Sequence, residues 1–92
     1  MARKPTYTVA SEEQIRALRH TLRQEIVDTV IALGSCSLRE VADHLGRPAD
    51  GLYYHVRELV RVGLLVPAGE RSTGRRSEVV YRAPTPGIMQ IR

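Results

Sequence analysis

The chain contains no phenylalanine or tryptophan, a single lysine and a single cysteine. Without Phe or Trp, a core has to be built from Leu, Val, Ile, Ala and some Tyr. Cys36 has no partner for an intrachain disulfide, and no signal peptide or long apolar run is present. These absences favour a soluble protein without a membrane anchor in the reducing setting of the cytoplasm.

The length sets a further limit. Ninety-two residues provide one domain with a modest core, and such a chain buries only about 60% of its unfolded surface. A domain of this size gains stability from a partner subunit. We therefore expect a homodimer.

The charge is unevenly distributed along the chain. Residues 1–46 carry six basic and six acidic side chains, whereas residues 47–92 carry eight arginines against four acids, so the whole excess of +4 lies in the second part. A polyanion is the natural partner of such a surface, because attraction to phosphates depends on charge. Charge alone fits a solvated basic face equally well.

The first strong pattern is an apolar stripe behind a capping box. Ser11-x-x-Gln14 has the form in which side chains satisfy the free N–H groups at a helix start. Apolar residues then recur at steps of three and four from Ile15 to Leu33. The pattern predicts one helix of about twenty residues that ends at Gly34. Its first part is expected to extend beyond the core and contact a second subunit. The candidate dimerisation residues are Ile15, Leu18 and Leu22.

A helix-turn-helix pattern occupies residues 34–66. Ser37-x-x-Glu40 forms a second capping box before a short amphipathic helix, and Gly46 supplies the turn. Pro48 suits the start of the next helix, which is predicted over about residues 48–62. In this motif the second helix enters the major groove of DNA.

Two β-rich runs follow, Leu64–Val66 and Val79–Tyr81, and are predicted to pair as a hairpin around a mobile Gly-, Ser- and Arg-rich loop. The predicted fold class is mainly α with a small β-hairpin, a winged helix-turn-helix of three helices and a two-stranded wing. The predicted organisation is an N-terminal arm (1–10), a DNA-binding domain (11–83) and a C-terminal tail (84–92) that is either docked or truncated.

The run LREVADHLGRPADGLYYHVRELVRVGLL, residues 38–65, resembles the helix-turn-helix of ArsR-like winged-helix transcriptional regulators from bacteria. The match extends over roughly residues 20–83. The positions that carry it are Pro48, His55, Val56, Gly63 and Leu64. The resemblance implies a sequence-specific regulator that binds double-stranded DNA, and it favours a repressor.

Two positions depart from the family pattern. Arg47 stands where the family often has a serine N-cap, which weakens the cap but supplies a side chain that reaches phosphate. The metal-sensing members carry clustered thiols such as a Cys-x-Cys pair, and a chain with one cysteine cannot form such a site. The effector is therefore left open.

The apolar stripe of the second helix indicates which residues face DNA. If Leu52, Val56 and Leu59 are buried, the opposite face meets the major groove and the wing, residues 70–78, meets the minor groove or the backbone. In the alternative, one tyrosine packs under the wing as core and the wing loop contacts nothing. The candidate DNA-binding residues are Ser37, Arg39, Arg47, Asp50, Tyr53, Tyr54, Arg57, Arg71, Arg75 and Arg76.

Other functions have weaker support. His55 is expected to be a structural imidazole bonded to backbone, and His20, His44 and His55 do not form a convincing metal set. We expect no cofactor and no metal. The sequence has no Gly-rich phosphate loop or nucleophile–base pair, so we expect no enzyme. The alternative is a winged-helix module that binds protein and not DNA.

Overall fold

A computed structural model describes residues 7–9, 11–84 and 89–91 of the chain. These residues form a mainly helical fold with a small sheet, which confirms the predicted fold class. The helices are α1 (Glu12–Ala17), α2 (Thr21–Leu33), α3 (Leu38–Leu45) and α4 (Asp50–Arg61). None of them is long and apolar enough to cross a membrane.

The first predicted helix is two helices, and the prediction of one continuous helix is wrong. α1 ends at Ala17 with Leu18 as its C-cap, and the extended backbone of His20 separates it from α2. The side-chain amide of Gln24 donates to the carbonyl oxygen of Leu18, which the break leaves outside the helical hydrogen-bond ladder. The break lets α1 lie across the end of α4 and not project into solvent.

α3, the turn and α4 form the predicted helix-turn-helix. The Ser37 hydroxyl accepts from the backbone N–H of Glu40 (3.2 Å), and the Glu40 carboxylate accepts from the N–H of Ser37 (2.9 Å). This is the predicted capping box. Gly46 ends α3 with a φ of +67°, a left-handed backbone that costs glycine little. α4 begins at Asp50, two residues after the predicted start at Pro48.

The wing is longer than predicted. Its strands are β3 (Val66–Thr73) and β4 (Arg76–Arg82), with a third short strand, β2 (Cys36–Ser37), along the other edge of β4. Thr73 pairs with Arg76, so only two residues connect β3 and β4. The predicted loop over 67–78 is therefore wrong, because most of that segment is paired strand.

Two further strands, β1 (Tyr7–Val9) and β5 (Met89–Ile91), pair in parallel with Tyr7 opposite Met89. They lie in the predicted arm and tail. The remainder of the arm lies outside the described residues, as do residues 85–88 and 92 of the tail. The domain boundaries at 11 and 83 stay a prediction.

The core lies between the helices and the sheet. Its largest fully buried side chains come from α2, α3 and α4 and from the segment after α4: Ile26, Val30, Val41, Leu52, Val56, Leu59, Leu64 and Leu65. The predicted buried stripe of α4 is confirmed, since Leu52, Val56 and Leu59 are at most 2% exposed. The sequence predicts Leu64 and Leu65 in a strand, but they precede β3 as buried loop residues.

Gln14 attaches α1 to the end of α4. Its amide Nε2 donates to the carbonyl oxygen of Val62 (2.8 Å), and its side chain is buried. Gln14→Ala is expected to lower the free energy of unfolding by about 1–3 kcal/mol, because a buried carbonyl loses its donor. Urea unfolding measures this change. Arg16→Ala, an exposed position on the same helix, is the control, and equal effects of both substitutions would contradict the assignment.

Candidate nucleic-acid interface

The exposed face of α4 carries the residues predicted to read DNA. Asp50, Tyr53, Tyr54 and Arg57 are all exposed, on the side opposite the buried stripe. Tyr53 and Tyr54 are 53% and 63% exposed, so neither packs under the wing as core. Two large aromatic side chains facing solvent on a small domain indicate a surface that binds another molecule.

The side chains of Tyr53 and Arg57 contact each other on this face. The guanidinium carbon of Arg57 lies 5.8 Å from the centre of the Tyr53 ring, within the range of a cation–π contact. The contact restricts the long arginine side chain and leaves its N–H groups available. An arginine oriented in this way presents donors that match a guanine edge or a phosphate.

The wing ends in a basic turn. Gly74 has a φ of +68°, which allows the two-residue connection, and Arg75 follows it at the turn. Arg75 and Arg76 are exposed. One wing carboxylate, Glu70, accepts a hydrogen bond from the Ser77 hydroxyl (2.9 Å). The wing tip therefore places Arg75 and Arg76 at a short turn, whereas Arg71, the third arginine predicted there, lies within β3.

Two other predicted arginines form ion pairs that connect the wing to α3. Arg71 lies 2.9 Å from the Glu40 carboxylate, and Arg39 lies 3.7 Å from that of Glu78. The Ser37 backbone N–H and the Arg71 guanidinium lower the pKa of Glu40. Exposed pairs of this kind contribute little stability. The acids do, however, partly neutralise the charge of Arg71 and Arg39, so these two arginines attract DNA less strongly than unpaired ones.

Ser37 does not fit its predicted role. Its side chain is 1% exposed and its hydroxyl caps α3, so it cannot reach a phosphate. Ser37 also belongs to β2 and pairs with Val80 of β4, which places it inside the fold. Arg47, by contrast, is exposed in the turn between α3 and α4.

The predicted dimerisation residues are mostly used within the chain. Leu18 is 8% exposed and belongs to the core, while Ile15 and Leu22 are half-buried and pack against that core. The break between α1 and α2 turns this face inward, so Leu18 is not the exposed side chain that the prediction requires. The exposed aliphatic residues of α2 are instead Ile31 and Leu33 at its end.

Arg23 and His55 form a contact that the sequence did not reveal. Arg23 is only 7% exposed, and its Nε donates to Nδ1 of His55 (3.0 Å). The expected partner of His55 is backbone, whereas the imidazole bonds to this side chain. The spacing of α2 offered one sign that Arg23 is buried. Arg23 precedes Ile26 by three positions and therefore lies on the buried face of the helix.

The cysteine and the histidines singled out in the sequence show no arrangement typical of a reactive or metal-binding site. Cys36 is 1% exposed in β2, and its burial raises the pKa of the thiol, which lowers its reactivity. His20 and His55 have ring centres 5.7 Å apart. Within the described part of the chain, no three His, Cys, Asp or Glu residues are arranged to hold a metal ion.

The fold and the exposed basic face define the class, a winged helix-turn-helix domain. The chain belongs to the helix-turn-helix domain family, whose model matches residues 18–67. No curated protein matches the chain significantly.

Solved structures share the fold. One is the homodimeric winged helix-turn-helix DNA-binding domain, fragment 1–100, of Mb0332 from Mycobacterium bovis, described as a possible ArsR-family transcriptional regulator. It is 21% identical with a TM-score of 0.61, over 78% of this chain and 61% of that one. Rv0081 of Mycobacterium tuberculosis is similar at 21% identity and a TM-score of 0.61, over 80% and 69%. The chain thus spans about three fifths of the first neighbour's length.

Proposed function

We propose that this chain is a sequence-specific double-stranded DNA-binding transcription regulator that acts as a homodimer and represses transcription in the bacterial cytoplasm. The family match and the winged-helix neighbours support a DNA-binding transcription regulator. Homodimerisation is supported by the homodimeric neighbour. A two-fold dimer presents two reading helices to half-sites about 34 Å apart, one turn of DNA.

The observation that carries the proposal is the exposed face of α4. It presents Tyr53, Tyr54 and Arg57 on the helix that the motif directs into the major groove. The wing tip adds Arg75 and Arg76 on the following hairpin. A helix that reads bases beside a basic turn that contacts the backbone is the division of work expected of a winged reader.

The residues take different roles in this proposal. Arg57 bonds a guanine edge or a phosphate, and the tyrosines contact phosphates or a thymine methyl group. Arg47, Arg75 and Arg76 contact the backbone or the minor groove, and their contribution is largely independent of sequence. Asp50 is close enough to the start of α4 to favour its dipole. A protein-binding module would carry an apolar or acidic face on α4, which is not the composition found there.

The wing arginines test the electrostatic part of the proposal. Arg75→Ala with Arg76→Ala is expected to weaken duplex binding and to reduce the slope of log K against log salt by about 4 in the proposed homodimer, since each protomer loses two phosphate contacts and each contact contributes about 0.9. Fluorescence anisotropy with a duplex selected from genomic DNA measures both quantities across a salt series. The matched control is Arg16→Ala with Arg19→Ala, which removes the same charge from exposed positions in and just after α1.

Wild-type protein that binds no duplex at low salt, including the promoter region next to its own gene, would refute the proposed function. An equal loss of slope in the wing and control variants would show that the wing has no special part in the contact.

A further inference from the structure

The buried contact between α2 and α4 is polar in an otherwise apolar interface. Arg23 comes from α2 and His55 from the middle of α4, between the exposed Tyr54 and the buried Val56. Among the described residues, Arg23 makes one hydrogen bond, from its Nε to Nδ1 of His55. A nearly buried arginine is costly unless it is held by partners. The burial of Arg23 against the reading helix α4 therefore indicates that its contacts there have a specific role.

The same arginine reaches the DNA-facing side of α4. Its guanidinium carbon lies 5.7 Å from the centre of the Tyr54 ring, and Tyr54 in turn meets His55 edge to face at 5.7 Å. Arg23 thus contacts two successive residues of α4, one half-buried and one 63% exposed. These contacts restrict the orientation of the Tyr54 ring and add to the apolar packing that sets the rotation of α4.

The hydrogen bond constrains the protonation state of His55. Because Arg23 donates, Nδ1 must carry a lone pair, and the imidazole must be neutral with its proton on Nε2. The titratable groups that face it are Arg23 from α2, His20 from the preceding turn and Tyr54 on its own helix. Glu58, one turn further along α4, interacts with Arg23. Burial, then Arg23 and His20, lower the pKa of His55 below its ordinary value. Protonation would replace the acceptor by a donor and place a second positive charge beside the Arg23 guanidinium.

We propose that Arg23 and His55 are positioning residues for DNA reading, whose hydrogen bond holds α4 and Tyr54 in the binding orientation only while the imidazole is neutral. Acidification then weakens DNA binding by disturbing this orientation, without changing the charge of the residues that contact DNA. This inference rests on the proposed function.

The direction with pH follows from the lowered pKa. The neutral form is favoured in the folded protein, so the contribution of the pair is complete above the ordinary histidine pKa of about 6.5 and is lost as the pH falls through the lower folded-state value. Wild-type affinity for DNA is expected to drop as the pH is lowered from about 7.5, by about tenfold once the imidazole is protonated, the loss typical of one hydrogen bond that involves a charged group.

The test compares the pH profile of duplex affinity in wild type, His55→Asn, Arg23→Met and His44→Gln. In His55→Asn, the amide oxygen of the new side chain stands near the position of Nδ1 and accepts at every pH. This variant is therefore expected to bind like wild type at about pH 7.5 and to keep its affinity at about pH 5. Arg23→Met is expected to bind about tenfold more weakly at neutral pH and to show a flat profile. His44, exposed at the end of α3, is the control and should follow wild type.

Each outcome decides the matter. An acid loss as steep in His55→Asn as in wild type, or no acid loss in wild type, overturns the positioning role while leaving DNA binding intact. Wild-type protein that binds no duplex at neutral pH overturns both claims. Thermal melting of each variant separates loss of fold from loss of orientation, because a substitution that unfolds the domain removes binding at every pH.

Discussion

Replacing Tyr53 and Arg57 together by alanine is expected to lower affinity for a selected duplex about a hundredfold, since each specific contact to a base is worth about 1–3 kcal/mol. Both side chains are exposed on the face of α4 opposite the core, so their removal leaves the packing unchanged. Anisotropy titration of the selected duplex measures the change. The melting temperature should stay close to that of wild type.

The two substitutions are also expected to be coupled. Because Arg57 lies over the Tyr53 ring, Tyr53→Ala alone frees the arginine and removes part of its contribution. A double-mutant cycle should therefore show an effect smaller than the sum of the single changes. The matched control is Leu33→Ala, an exposed residue of α2 outside the proposed interface. Equal affinity of the double variant and wild type would show that α4 does not read DNA through this face.

Leu59→Ala is expected to destabilise the domain by about 2–5 kcal/mol, because it removes a completely buried leucine and leaves a cavity. Leu59 is 0% exposed on the buried stripe of α4. The total stability of a small domain is about 5–15 kcal/mol, so this one change removes a large share of it. Urea unfolding measures the loss.

The control for Leu59 is chemically identical. Leu33→Ala removes the same atoms from a side chain that is 47% exposed, and its effect should be much smaller. A similar loss in both variants would contradict the placement of Leu59 at the centre of the core. The folded fraction of Leu59→Ala should still bind DNA, because the opposite face of α4 is intact.

Local signals in the sequence predict much of the helix-turn-helix. Both capping boxes form, Gly46 ends α3, and the buried stripe of α4 is the predicted one. These features depend on residues within a few positions of one another. The break at Leu18 was missed because the apolar spacing continues through it, and only the packing of α1 against the end of α4 requires the chain to turn.

The full length of the wing strands and the burial of Arg23 were not predicted, for related reasons. The segment between Pro67 and Glu78 is rich in residues of low β-propensity, yet pairing with β4 and a two-residue turn at Gly74 make most of it strand. Arginine is a residue type usually found at exposed helix positions, so its spacing on the buried stripe of α2 was not enough to indicate that Arg23 is buried. Its burial depends on His55, thirty-two residues away, and pairing at that distance is not visible in one sequence.

The central claim is that the exposed face of α4 and the wing tip together contact DNA. Backbone amide NMR spectra, recorded while a selected duplex is added at low salt, test it most directly. We expect the largest chemical-shift changes on Tyr53, Tyr54 and Arg57 of α4 and on Gly74–Arg76 of the wing. Changes confined to α1 and to the end of α2 around Ile31 and Leu33, with α4 and the wing unaffected, would contradict it.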